Sequence, residues 1–132
     1  MKPLRLYIAG PMRGVAQFNF PLFMEVERKL VDQGHKVWNP ARKDLEAGLD
    51  VTDMKGDMVE MEAVNFDLRA AIEWDLHAIV REVEGLVMLP EWRTSSGAKV
   101  EFALARFLGL KIFAWTTTGK LNKIIERMTV HV

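Results

Sequence analysis

Two carboxylates sit among apolar neighbours at helical spacing. Glu101, within 90-PEWRTSSGAKVEFALARFLG-109, is followed at i+3, i+4 and i+7 by Leu104, Ala105 and Leu108. Ala98 and Gly97 precede it at i−3 and i−4. Asp75 has Ala71, Ile72, Ala78 and Ile79 at the corresponding offsets. A carboxylate on the packing side of a helix is costly unless it is paired or hydrogen-bonded, and such groups concentrate where they work. As structural residues, Glu101 would lay its stem across apolar surface, and Asp75 would be a satisfied cap or would pair with Arg81 or Arg69. Asp67 shares the pattern, flanked by Ala63, Val64, Ala70 and Ala71. Two carboxylates beside one pocket are the equipment of glycosidic cleavage, one capturing or stabilising the sugar cation while another group handles the leaving group.

A second constellation suits an anion. In 93-RTSSGA-98, helix-start N–H groups, the hydroxyls of Ser95 and Ser96, and Arg93 stand together. Gly97 belongs to the same turn. Arg13, in 10-GPMRG-14, is a second cation, following Gly10. The structural alternatives are an N-cap for Ser95 and a solvated loop for Arg13. Trp92 can stack on a base or simply pack. Tyr7, the only tyrosine, lies near the same rim. Asn39 opens 39-NPAR-42, another loop at that edge. The stretch 116-TTTGK-120 lacks phosphate-loop spacing and reads as a helix cap.

The elements that must position these residues follow from periodicity. Residues 4–9 form a buried strand stopped by Gly10-Pro11. Asn19 and Pro21 open a helix with Phe23, Val26 and Leu30 on one face, ended by Gly34. Residues 36–40 form a brief strand, and 41–60 a long loop with room for a helical turn. A long helix covers 62–81, with Leu68, Ile72 and Ile79 on one line and Phe66, Trp74 and Val80 off it. A strand at 85–90, a helix at 96–108 and a strand at 110–115 follow. The last helix covers 119–128 with Leu121, Ile124 and Ile125 inward, and 128-MTVHV-132 can add an edge strand. Unalternating apolar strands joined by helices imply a single α/β domain over residues 1–132, a doubly wound parallel sheet covered on both faces. Ligands in such sheets sit beyond the strand C-termini, where 9-AGPMRG-14, 39-NPAR-42 and 90-PEWRTSSGA-98 fall.

Composition narrows the classes. The chain has 132 residues, 49% apolar and 27% charged, with 18 basic and 18 acidic side chains. Zero formal net charge argues against gripping a nucleic acid polymer or an anionic membrane. No cysteine is present, so neither disulfides nor a thiolate nucleophile arise, in keeping with the cytoplasm. No stretch reads as a signal sequence or a membrane span. His35, His77 and His131 lack metal-ligand spacing, so no metal is expected.

In register from about residue 4 to about 115, the chain resembles the nucleoside 2-deoxyribosyltransferase-like superfamily, in particular its small members in phages and bacteria. The resemblance rests on Tyr7-Ile8-Ala9-Gly10-Pro11, Phe20-Pro21, Gly34-His35, Asn39-Pro40, Asp75-Leu76, Leu89-Pro90 and the S-S-G-A-x-x-E run from Ser95 to Glu101. The G-x-x-x-E element is also similar to that of nucleotide phosphoribohydrolases related to lysine-decarboxylase-like proteins, although Pro90-Glu91-Trp92 stands where those carry P-G-G. The resemblance implies a flavodoxin-like, Rossmann-like sheet, a homodimer or higher homo-oligomer, and cleavage of an N-glycosidic bond without a cofactor. It places the nucleophile on Glu101, the sugar- or base-side aspartate on Asp75 and the strand-one tyrosine on Tyr7. The nucleotide hydrolase branch holds a 5′-phosphate through positions matching Arg13 and Ser95, and has a serine where this chain has Pro11. The transferases carry an aspartate at Ser95. The expectation is an N-glycosidase that hydrolyses a (deoxy)nucleoside 5′-monophosphate. Base exchange by a deoxyribosyltransferase is the neighbouring reading, and a non-catalytic nucleotide-binding or sensor module is the rival of another class.

Overall fold

The structure, a computed structural model, describes residues 2–123. Its five strands are β1 (Arg5–Ala9), β2 (Lys36–Trp38), β3 (Gly85–Met88), β4 (Lys111–Trp115) and β5 (Leu121–Lys123). They form one sheet in the order β2-β1-β3-β4-β5. The first four are parallel, with Tyr7 level with Leu86 and Trp38, while β5 runs antiparallel to β4. This is the flavodoxin-like order, and it reverses direction between β1 and β3, where a crevice opens at the strand C-termini.

Side chains alternate across the buried strands, so each strand feeds two cores. Leu6, Ile8, Val87, Leu89 and Phe113 meet Phe23, Val26 and Leu30 of α1 (Phe20–Asp32). On the other face, Tyr7, Ala9, Leu86, Met88 and Ile112 meet Ala98, Phe102 and Ala105 of α5 (Ser96–Leu108), together with Ala78 and Ile79. Each fully buried Leu, Ile or Phe contributes about 1.5–3 kcal/mol of transfer free energy. The alternation therefore fixes which face Tyr7 takes: it points toward α5.

Several elements differ from the sequence reading, each for a local reason. Residues 41–60 are not a bare loop. Asn39 accepts from the Ala41 N–H at 3.0 Å, Pro40 takes the first turn, and α2 (Pro40–Glu46) follows. Buried Glu27 grips the Arg42 guanidinium and ties α2 to α1. The expected helix over 62–81 is two helices, α3 (Met58–Ala63) and α4 (Leu68–His77), the latter continuing as a wider turn over Ala78–Glu82. Asn65 breaks it at φ 57°, and Asp67 caps α4 through the Ala70 N–H at 3.0 Å. Asp67 is thus a cap rather than a carboxylate on a packing face. Leu68 and Ile72 do not join Ile79 in the core; they are exposed while Ala71 is buried. Asn19 does not cap α1; at φ 62° its side chain donates to the Pro11 carbonyl at 2.9 Å.

The 116-TTTGK-120 stretch is a hairpin turn, closed by the Thr116 N–H donating to the Lys120 carbonyl at 3.0 Å, and it leads into β5 at Leu121–Lys123, where the expected helix would have begun. Ile124, Ile125 and 128-MTVHV-132 lie outside the described residues. Among the described residues no helix is long and apolar enough to cross a membrane.

Candidate active site

A cavity of about 360 Å³ opens at the C-terminal ends of β1 and β3. That volume falls in the range of small-ligand sites. Its wall gathers residues from separate parts of the chain. Tyr7 comes from β1, Gly10 and Arg13 from the following loop, Asp75 from α4, and Ser95, Ser96, Gly97 and Glu101 from the start of α5. Met12, Phe23, Leu68, Ile72 and Val100 supply apolar surface.

Three sequence candidates stay outside this wall. Asn39 is buried between α1 and α2, capping α2 and donating to the Phe23 carbonyl at 3.3 Å. Trp92 stacks on Phe102 with ring centroids 4.4 Å apart. Arg93 lies over the Trp92 ring at 4.5 Å. Both belong to the short turn Trp92–Thr94 that carries the chain from β3 to α5.

At the centre, the Tyr7 hydroxyl donates a hydrogen bond to Glu101 Oε2. Burial pushes the Glu101 carboxyl up to about 8; the Tyr7 hydrogen bond counters this, and the nearby Asp75 charge adds to it. Burial also pushes Asp75 up to about 7, reinforced by the charge of Asp44 and opposed by Lys43 and the Tyr7 hydroxyl. Tyr7 itself is held well above its ordinary range by burial and by the Glu101 and Asp75 charges. Burial thus raises both carboxyls toward neutrality, and the Asp75 charge opposes ionisation of Glu101. A pair holding one proton can present an acid and a base together.

The α5 terminus forms the other end of the cavity. Ser95 Oγ accepts from the Ala98 N–H at 3.1 Å, so Ser95 is the helix cap and lines the cavity as well. Its O–H remains available to donate. A Cβ added at Gly97 would meet nothing nearer than Ser95 Oγ at 4.0 Å, so packing does not demand glycine there. At Gly10, by contrast, a Cβ would stand 2.7 Å from Leu89 Cβ, and glycine lets the two loops approach.

The arrangement can bind an anion at the helix start and perform acid–base or nucleophilic chemistry between Asp75 and Glu101. Among the described residues no group of three or more His, Cys, Asp or Glu side chains is placed to hold a metal ion. Sequence reading missed Asp44, a buried carboxyl on α2. The signal was present: with Asn39-Pro40 read as a helix start, Asp44 falls at i+3 from Ala41, on the buried face.

The chain belongs to the family described as Domain of unknown function (DUF4406), whose family model matches residues 4–114. The comparison with curated proteins found no match.

Proposed function

For this member of the family, we propose cleavage of the N-glycosidic bond of a (deoxy)nucleoside 5′-monophosphate, with Glu101 as nucleophile. The observation that carries the reading is the Tyr7–Glu101–Asp75 constellation in a cavity whose far end is a helix N-terminus. The reactive form is the minor one-proton form, with the proton on Asp75 although Glu101 has the higher pKa; in it ionised Glu101 attacks C1′, and the C1′–N bond electrons leave with the base. Asp75 donates its proton to the departing nitrogen. The resulting glycosyl ester is opened by water, whose proton returns to Asp75. Tyr7 holds one Glu101 oxygen and aims the other. The superfamily resemblance of the motifs supports the same roles.

The phosphate would sit on the α5 N-terminus with Ser95 and Ser96, met by Arg13 from across the rim. Arg93, stacked on Trp92, is assigned no role in that contact. A serine at position 95 offers a donor where an aspartate would repel a phosphate, which favours the mononucleotide over the nucleoside. Releasing free base from a broad panel of nucleotides and nucleosides, read by chromatography, tests the activity. No release from any of them would overturn it.

We also propose a homodimer. Leu68 and Ile72 on α4 and Val100 and Phe107 on α5 are exposed apolar side chains, and the first three border the cavity. Exposed apolar surface of this kind marks interaction sites, and a two-fold contact would cover it on both copies. Light scattering should give twice the chain mass at micromolar concentration; a monomer mass would refute it.

A further inference from the structure

We propose that a cavity between α2 and α4 is a second binding site, which takes a small organic cation, an ammonium or guanidinium group on an apolar stem, with the Asp44 carboxylate as its counterion. The site stands apart from the N-glycosidase reading. Its cavity, of about 470 Å³, shares no wall residue with the one that holds Tyr7, Asp75 and Glu101. The two use different faces of α4: Leu68, Ile72 and Asp75 line the first, Asp67, Ala70 and Ala71 the second. Small residues leave the space open, since Ala47 and Gly48 at the end of α2 and Ala70 and Ala71 on α4 carry little or no side chain. Asp44, Ala47 and Gly48 stand at i, i+3 and i+4, so they share the side of α2 that turns to the cavity.

Asp44 is 9% exposed, and its carboxyl accepts no hydrogen bond and joins no ion pair among the described residues. The other carboxyls of the wall are engaged: Asp50 holds Thr52, and Asp67 caps α4. Buried Glu27 is likewise gripped by Arg42. A carboxylate taken from water without a donor is costly, and a ligand that brings both a donor and a positive charge offsets that cost. The sign of the ligand follows from the wall, where three carboxyls meet one ammonium. That ammonium, of Lys43, lies over the Trp74 ring at 5.7 Å and leaves Asp44 uncontacted. Among the described residues no three His, Cys, Asp or Glu side chains are placed to hold a metal ion, so the single free carboxyl suits an organic cation. Leu49, Val64 and Phe66 supply apolar surface for its stem, and Phe66 an aromatic face as well.

The test titrates butylammonium and butylguanidinium into the full chain at about pH 8, where Asp44 is ionised, with butanol as the neutral control. The amide shifts of Ala70 and Ala71 are followed by NMR. Both cations should shift these amides saturably and bind at least about tenfold more tightly than butanol. Asp44→Asn keeps the shape and removes the charge. It should weaken both cations about ten- to a hundredfold, the equivalent of one charge-assisted hydrogen bond, and leave butanol unchanged. Ala70→Leu, at an exposed position of α4, fills the cavity with Asp44 intact, and should abolish the cation-induced shift at Ala71. It keeps the inference open to refutation should Asp44→Asn fold poorly. No saturable shift in the wild type overturns the inference. So do cations bound no more tightly than butanol, or bound undiminished by a folded Asp44→Asn or by Ala70→Leu. Base release from nucleotides bears on the N-glycosidase reading alone, so the two stand or fall separately.

Discussion

The Tyr7 hydroxyl, in the first strand, donates to the Glu101 carboxyl, 94 residues further along the chain. The bond joins β1 to α5 across the crevice between β1 and β3. It lowers the proton affinity of a carboxyl that burial raises. Removing the donor should leave Glu101 protonated to higher pH. In Tyr7→Phe the acid limb of kcat/KM should therefore move up, since in the proposed reaction Glu101 must ionise to attack. A hydrogen bond to a charged group is worth roughly 1.5–3 kcal/mol, so kcat should fall about ten- to a hundredfold. A pH–rate profile superimposable on wild type would remove Tyr7 from the mechanism.

Stability should depend on pH through the same carboxyl. Glu101 titrates near 8 in the fold against an ordinary 4.5. Between those values the folded chain holds a proton that the unfolded chain has lost. Its contribution is therefore complete below about 4.5 and is lost as pH rises to about 8. Glu101→Gln removes this dependence. Urea unfolding should show the variant gaining on wild type as pH rises from 5 to 8, by roughly 2–4 kcal/mol. A constant difference across that range would show that Glu101 is ionised in the fold throughout.

In the proposed reaction Arg13 and Ser95, which line the cavity, read the charge of the substrate. A nucleoside 5′-monophosphate should be cleaved with higher kcat/KM than its nucleoside. Arg13→Ala should raise KM for the nucleotide by about ten- to a hundredfold, the equivalent of one charge-assisted hydrogen bond. Its effect on the nucleoside should be small. The matched pair of substrates measures this directly. Equal values would mean that Ser95 serves α5 only as a cap and that base exchange between nucleosides is the better description.

Much of the site is legible in the sequence because it rests on strong local signals. Apolar runs ended by Gly10-Pro11 and Leu89-Pro90 mark the two strands that flank the crevice. Ser95 marks the start of α5 and Gly109, at φ 74°, its end, so the face carrying Glu101 follows from periodicity. What periodicity obscured was a break inside an apolar pattern. The alanines around Asp67 read as helix, yet Asn65 takes a left-handed conformation and Asp67 caps a new helix. Asp44 is marked only by the helix start at Asn39-Pro40, since a seven-residue helix gives too few turns for a periodic pattern. Asn39, Trp92 and Arg93 sit at the expected edge of the sheet, but short-range packing turns their side chains away from the cavity. Chain position alone does not settle side-chain direction.

The account stands most directly on Glu101 as nucleophile. The measurement is kcat/KM for base release by wild type and Glu101→Gln, using the mononucleotide the wild type cleaves best, with folding checked by circular dichroism. Glutamine keeps the shape and the contact with Tyr7 but cannot attack C1′. The account predicts a loss of about a thousandfold or more, well beyond the ten- to a hundredfold worth of one charge-assisted contact, in a variant that remains folded. A folded Glu101→Gln that retains base release within tenfold of wild type would contradict it.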